Sequence, residues 1–298
     1  MPIEEPLLRA IIRFCDRSYR CFTFGKEDLV PTIEEYSILI GTDLQHLDKV
    51  YNKKLRAGCW KVLAKILKIK PQMIDTYLVQ KEDHKGLPWN ILRDFIREHL
   101  HDEDGMMAFA LSIYGLVIFS RMLGYIEMVV VDTFEQIQHS SNHSLAILVE
   151  TLRSLNYCRH NQEKRFMGCA PLLYIWIRSH TLSEGITFTK SYFPEASPIT
   201  EFYQNTWPQP KTEEWWVSFL QDPSQLQWMA LWMSRPPLLY RCGNLSWMPL
   251  FGLWGMISYA HILTIRQFGA KQFIPTITKL ASLKLMYGQL GKLNGSIR

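Results

Sequence analysis

Residues 31–41, PTIEEYSILIG, contain the clearest local folding signal in the chain. Thr32 precedes Glu35 by three residues, which is the spacing of a capping box. In that motif the Thr32 hydroxyl accepts from the Glu35 amide, and the Glu35 carboxylate accepts from the Thr32 amide. The pattern predicts a helix that begins after Thr32 and ends at Gly41, because glycine favours the position just after a helix.

Apolar residues recur at helical spacing along much of the remaining chain. Helices are predicted at residues 6–19, 60–70, 88–100, 106–122, 145–155, 170–180, 213–220 and 275–287. Residues 106–122 are apolar on nearly all sides, and a helix of that kind belongs at the centre of a domain. Residues 129–131 fit either a short strand or the start of a helix.

Strand signals are sparse in this sequence. Residues 21–24, CFTF, alternate and are followed by a turn, which predicts a small hairpin over residues 21–30. Residues 183–212 contain four prolines and no sustained apolar period, which predicts an irregular connection. We therefore expect a mainly α fold, a single large helical domain over residues 1–298 with a small β-hairpin near the N-terminus.

The composition is that of an ordinary globular protein. The chain has 298 residues, of which 47% are hydrophobic and 20% charged, so it does not belong to the disordered class. Its six cysteines are scattered without a C-x-x-C pair, which favours free thiols in a reducing compartment.

The 24 residues between Arg241 and Arg266 carry no Lys, Arg, Asp or Glu, but glycine and proline interrupt them. We expect them to be buried in the domain and not to span a membrane.

Charge is distributed unevenly along the chain. Residues 223–298 contain eight Lys or Arg and no Asp or Glu, and residues 49–70 show the same count. Such segments attract anionic partners. The candidate residues for binding nucleic acid or another anion are Lys53, Lys54, Arg56, Lys61, Lys65 and Lys68.

A helical wheel places Lys61, Lys65 and Lys68 on one side of the predicted helix, opposite its apolar residues. The alternative interpretation is that lysine is what an exposed helix face ordinarily carries, with acidic patches elsewhere compensating. This second interpretation is the favoured one, and binding of an external anion is the alternative to it.

The sequence contains no complete catalytic or metal-binding motif. His139 and His143 are four residues apart, but no H-E-x-x-H or C-x-x-C motif supplies further zinc ligands. The chain also lacks a G-x-S-x-G elbow and a phosphate-binding loop ending in Gly-Lys-Ser/Thr. We predict no catalytic residue, cofactor or metal. An enzyme whose active site is assembled from distant residues stays an open alternative.

Several blocks, taken in order, resemble a known family. They are residues 22–24 (FTF), 31–36 (PTIEEY), 39–41 (LIG), 113–119 (IYGLVIF), 166–173 (FMGCAPLL), 239–243 (LYRCG) and 248–269, with Trp176 and His180. Over roughly residues 7–287 the chain resembles the plant mobile domain, often labelled aminotransferase-like, and a related uncharacterised plant domain associated with retrotransposons. It departs at residues 258–261, SYAH, where many relatives have an Asn-Tyr-Asn-Pro-like string.

This resemblance implies a helical domain without established catalytic residues. In some members it is linked to nuclear silencing of transposons and to a phosphatase-like partner. We therefore expect a non-catalytic protein-interaction module of transposon-related plant origin, nuclear or otherwise cytoplasmic, with protein partners and nucleic acid as candidate ligands. The alternatives are an uncharacterised enzyme and a transposon remnant without a cellular role. The aminotransferase-like label is not an activity here, because no residue can be assigned to hold pyridoxal phosphate.

Overall fold

The computed structural model describes residues 3–42, 59–81, 84–121, 123–138, 142–162, 165–182, 210–230, 233 and 248–268. The predicted helix at residues 275–287 lies outside these ranges, as does the irregular connection except for its last three residues. Among the candidate anion-binding residues, Lys53, Lys54 and Arg56 also lie outside them. Structural statements below concern the described residues.

The N-terminal part contains a helix, a three-stranded antiparallel sheet of order β1-β2-β3, and a second helix. In chain order these are α1 (Glu5–Phe14), β1 (Cys15–Asp16), β2 (Cys21–Phe24), β3 (Glu27–Leu29) and α2 (Ile33–Leu39). The predicted hairpin is present as β2 and β3, and Gly25 supplies the positive φ of 63° in its tight turn. The capping box is confirmed. The Glu35 amide donates to the Thr32 hydroxyl at 3.1 Å, and the Thr32 amide donates to the Glu35 carboxylate at 3.0 Å.

The middle part contains a second antiparallel sheet, of order β4-β5-β6, surrounded by helices. The elements are α3 (Cys59–Ile66), a 3-10 turn (Pro71–Tyr77), β4 (Val79–Lys81), β5 (His84–Pro88), α4 (Trp89–Glu98), α5 (Glu103–Ile113), a π-helical turn (Tyr114–Ile118), β6 (Tyr125–Glu127) and α6 (Met128–Gln138). Residues 129–131, which the sequence left undecided, therefore lie in a helix.

The C-terminal part contains the longest described helix and a two-stranded sheet. Its elements are α7 (Ser144–Asn161), α8 (Ala170–Ser179), α9 (Glu213–Leu220), a 3-10 turn (Pro223–Gln225), β7 (Met248–Phe251), β8 (Met256–Tyr259) and α10 (His261–Phe268). Glu150 of α7 ties the β7–β8 hairpin to the helices, because its carboxylate accepts from the Trp254 amide at 3.0 Å.

The hydrophobic core is centred on α7 and α8. Leu148, Val149 and Leu155 of α7 are fully buried, and so is Trp176 of α8. Phe22 of β2 packs against the Trp176 ring with 5.5 Å between the ring centroids. The centre of the domain is therefore formed by helices that also carry Thr151, Ser154 and other polar residues, and not by the segment with the most apolar sequence.

The expectation of a mainly α domain with one hairpin is wrong. The described residues form a mixed fold in which helices are combined with three small antiparallel sheets. The strands have only two to five residues, which is too short for a period of two to stand out. In addition, β4 and β5 carry Lys81, His84 and Lys85, whose polarity is typical of a loop.

None of the described helices has both the length and the apolarity needed to cross a membrane. The uncharged stretch between Arg241 and Arg266 is described from residue 248 onwards. There it forms the β7–β8 hairpin and most of α10, which pack against the core through Leu250, Ile257 and Leu263.

Candidate interaction surface

The basic residues predicted on one helix side are only partly brought together. Lys61 and Lys65 lie on α3 with exposed side chains, and neither forms an ion pair within the described part of the chain. The Lys61 ammonium lies 5.6 Å from the centroid of the neighbouring Trp60 ring. The opposite side of α3 is buried through Leu63, Ala64 and Ile66, as the apolar pattern predicts.

Lys68 does not belong to that face, because α3 ends before it. Lys68 has a left-handed backbone with φ of 52°, its amide bonds the Lys65 carbonyl at 3.2 Å, and the Ile69 amide bonds the Ala64 carbonyl at 2.9 Å. This is the Schellman motif, which usually has glycine at the left-handed position. With lysine there, the sequence does not mark the helix end at this residue, and the only stop signal is Pro71, which follows the predicted helix.

The Lys68 ammonium is neutralised by two carboxylates. It lies 2.9 Å from Asp104 and 3.5 Å from Asp102, at the start of α5. Of the three described candidates, Lys61 and Lys65 stay available to an external anion, whereas Lys68 connects the end of α3 to the beginning of α5.

The placement of α5 and the following π-helical turn is the main surprise of the structure. The sequence predicts that residues 106–122 lie at the centre, but one side of this segment faces solvent. The exposed fractions of its side chains there are 63% for Met106, 56% for Phe109, 37% for Ile113 and 41% for Val117. We call these four residues the α5 face. Their spacing of three, four and four residues places them along one side of a helix.

The other side of the same segment is packed into the domain. Ala108 and Leu111 are fully buried, and Gly115 allows the π-helical turn to approach β6 closely. A Cβ at Gly115 would lie 2.6 Å from the Ile126 side chain. The segment is thus apolar on both sides, although only one side is covered by the described residues.

Comparison with known proteins assigns the chain to a family. A family model described as "Domain of unknown function (DUF7745)" matches residues 1–291 of the 298. The chain belongs to the DUF7745 family. No curated protein and no solved structure matches it. The resemblance to the plant mobile domain stays a prediction, because the description of DUF7745 names no function or origin.

One His–Glu pair of this DUF7745 domain is closed to solvent. Glu35 of α2 and His180, which follows α8, are both fully buried and lie 3.2 Å apart. The second His180 ring nitrogen faces the Gln227 carbonyl at 2.6 Å. Both ring nitrogens of His180 therefore face an oxygen atom.

The Glu35 carboxylate is the centre of this network. It accepts from the Thr32 amide, from the Trp176 indole at 2.9 Å and from the Gln267 side chain at 3.3 Å. Burial raises the pKa of the Glu35 carboxyl, but the His180 charge and the hydrogen bonds outweigh that effect and hold the pKa below its ordinary value. The arrangement holds α2, α8 and α10 together and offers no opening for a substrate.

Sequence reasoning missed the α5 face because apolar residues on all sides of a helix usually indicate a central position. The sequence does contain a usable signal. Met106, Phe109, Ile113 and Val117 form a stripe of their own, separate from the buried Ala108 and Leu111 stripe.

Within the described ranges, no group of three or more His, Cys, Asp or Glu residues has an arrangement that could hold a metal ion.

Proposed function

We propose that this DUF7745 domain is a non-catalytic interaction module that binds an acidic amphipathic helix of a partner protein through the α5 face. The observation that carries this proposal is the exposed apolar stripe itself. Full burial of a Val, Leu, Ile, Phe or Met side chain is favourable by about 1.5–3 kcal/mol. A partner that covers the α5 face therefore gains binding free energy from each of these side chains.

The chemistry of the α5 face suits a helical ligand. A helix that lies in an apolar groove places its anchors at spacings of three and four residues, and the α5 face presents the same spacing. Phe109 supplies a large rigid contact, whereas Met106 is unbranched and adapts its shape to the residue that covers it. Monomeric soluble proteins rarely expose large contiguous apolar patches, and those that do occur usually mark interaction sites.

The positive charge on helix α3 is the reason for choosing an acidic ligand. Helix α3 packs against α5, and Lys68 bonds Asp102 and Asp104 at the start of α5. Lys68 offsets part of the negative charge of Asp102, Glu103 and Asp104 at the start of α5. Lys61 and Lys65 are exposed ammonium groups on the helix that packs against α5, and neither has an ion pair with a described residue. Carboxylates flanking the apolar side of a bound helix would be attracted to these two ammonium groups, chiefly accelerating association.

We expect Phe109→Ser to weaken the binding of an acidic amphipathic peptide by about tenfold or more, because a central aromatic contact carries much of the energy of an interface. The probe is a fluorescent helical peptide with leucines three and four residues apart and glutamates elsewhere, and fluorescence anisotropy measures its binding. Phe251→Ser is the matched control, since Phe251 is also about half exposed (49%) but lies on β7. Equal affinities of the two variants would contradict the proposal.

We expect Lys61→Glu combined with Lys65→Glu to weaken binding of the same peptide and to reduce its dependence on salt. A peptide with lysines in place of the glutamates serves as the charge control and should prefer the double variant. A duplex DNA oligonucleotide is titrated in parallel. If DNA binds through these lysines while Phe109→Ser has no effect on either ligand, the surface binds nucleic acid and the protein-ligand proposal is wrong.

We also propose, on the resemblance to the plant mobile domain alone, that the module is of transposon-related plant origin and acts in the nucleus with a phosphatase-like partner. The test is affinity purification from plant nuclei with wild type, Phe109→Ser and Phe251→Ser in parallel. A phosphatase-like protein retained by wild type and Phe251→Ser but lost with Phe109→Ser supports both the partner and the surface. A tagged protein that stays in the cytoplasm contradicts the nuclear location.

A further inference from the structure

A second candidate site is formed by helices other than α5. A groove of about 440 Å³ lies between the outer side of α1, the C-terminal end of α7 and the start of α9. Its volume is within the roughly 300–1,000 Å³ that ligand sites in proteins occupy. The residues that matter for its chemistry are Arg9, Ile12, Arg13, Arg159, Gln162 and Glu213.

Three arginines line this groove. Arg9 and Arg13 are one turn apart on α1, and each is bonded to a single carboxylate, Arg9 to Glu5 at 2.6 Å and Arg13 to Glu213 of α9. Arg159 is exposed and forms no ion pair within the described part of the chain. Three guanidinium groups thus line the groove. Two of them are each paired with one carboxylate, and Arg159 has no ion pair with a described residue.

This arrangement selects among anions. Guanidinium groups stay charged at every physiological pH and bind carboxylates and phosphates through paired N–H donors. A carboxylate offers two oxygens and one negative charge, whereas a phosphate monoester offers three terminal oxygens and about −1.5 to −2 charges at neutral pH. Each guanidinium has five N–H donors, so Arg9 and Arg13 keep free donors beside their carboxylate partners, and together with Arg159 they can serve the three terminal oxygens of a phosphate. Ile12 supplies an apolar contact for the body of the ligand, and the Gln162 amide adds neutral donors.

We propose that this groove binds a phosphate monoester, either on a small molecule or on a phosphorylated protein segment. The site uses α1, α7 and α9 and does not depend on the α5 face. Both kinds of ligand present the same phosphate group to the groove and differ only in the part of the ligand that lies outside it.

We expect Arg159→Gln to weaken the binding of O-phospho-L-serine by about tenfold or more, because hydrogen bonds to charged groups are among the stronger polar contacts. Isothermal titration calorimetry at low ionic strength measures binding of inorganic phosphate, O-phospho-L-serine and a phosphoserine peptide. Tighter binding of the peptide than of phosphoserine identifies a protein source, and equal binding identifies a small molecule. The variant should fold normally, since Arg159 is exposed and makes no ion pair with a described residue.

Arg97→Gln is the matched control, because Arg97 is an exposed arginine on α4, outside the groove. Equal losses in the Arg97 and Arg159 variants would mean that the phosphate responds only to the net charge of +5, and would overturn the proposal. Absence of binding by all three phosphate probes would overturn it as well. The same holds if acetate, or an oligonucleotide without a terminal phosphate, binds more tightly than phosphoserine.

Discussion

Replacement of Glu35 by glutamine is expected to lower the free energy of unfolding by about 3–5 kcal/mol, because it leaves the charge of His180 buried without its partner. Both side chains are fully buried, so water cannot take over the role of the carboxylate. A buried ion pair contributes little net stability when it is complete, but removal of one partner is costly.

Hydrogen bonding adds to this cost. One Glu35 oxygen accepts from the Thr32 amide and the Trp176 indole, and the other from His180 and Gln267. A glutamine side chain has a single acceptor oxygen, so its amino group must face two of these donors. Buried donors without an acceptor each cost about 1–3 kcal/mol.

Urea unfolding of wild type and Glu35→Gln measures the effect. The matched control is Glu5→Gln, which removes a carboxylate from an exposed ion pair with Arg9. Exposed pairs of this type typically contribute no more than about 1 kcal/mol. If both variants lose similar amounts of stability, the Glu35–His180 network does not stabilise the fold as argued.

The pH dependence of stability checks the same network. Because the Glu35 pKa is lower in the folded protein than its ordinary value of 4.5, the folded state favours the ionised carboxyl. That contribution is present above about pH 4.5 and is lost as the pH falls through the lower, folded-state pKa. We therefore expect the difference in unfolding free energy between wild type and Glu35→Gln to shrink in acid. A difference that stays constant down to the acid transition would contradict the direction of the pKa shift.

Gly105→Ala is expected to destabilise the protein by about 3 kcal/mol, at the upper end of the usual cost of overpacking. Gly105 is in the first turn of α5, where its amide bonds the Asp102 carboxylate at 2.9 Å. A Cβ at this position would overlap the backbone carbonyl of His99, at the end of α4. Backbone atoms cannot rotate away as a flexible side chain would, so the packing between α4 and α5 must change.

Gly41→Ala is the control for this substitution. Gly41 has a positive φ of 72°, but no atom lies within 4 Å of the position that a Cβ would occupy. Alanine there costs about 1–2 kcal/mol from the left-handed backbone alone. Thermal or urea unfolding that shows Gly105→Ala to be the milder change would contradict the close approach of α4 and α5.

The sequence predicted several elements of this fold almost to the residue. The capping box at Thr32 and Glu35 marks the start of α2, and the segments predicted at 170–180 and 213–220 are α8 and α9 within one residue. These elements depend on hydrogen bonds and apolar spacings between residues three to four positions apart. Strand β1 and the sheets β4-β5-β6 and β7-β8 were missed, because strands of two to five residues are specified by their partners and not by their own pattern.

Local chemistry thus determined where α2, α4, α8 and α9 begin and end to within about two residues, and it placed Lys61 and Lys65 on an exposed helix side. Only the tertiary structure decided that one side of α5 stays uncovered, that Lys68 is neutralised at the start of α5, and that Glu35 meets His180 across 145 positions of the chain. The physical reason is the range of the interactions. A residue carries information about its near neighbours, whereas the partner that covers an apolar side or neutralises a charge is chosen by how distant segments pack.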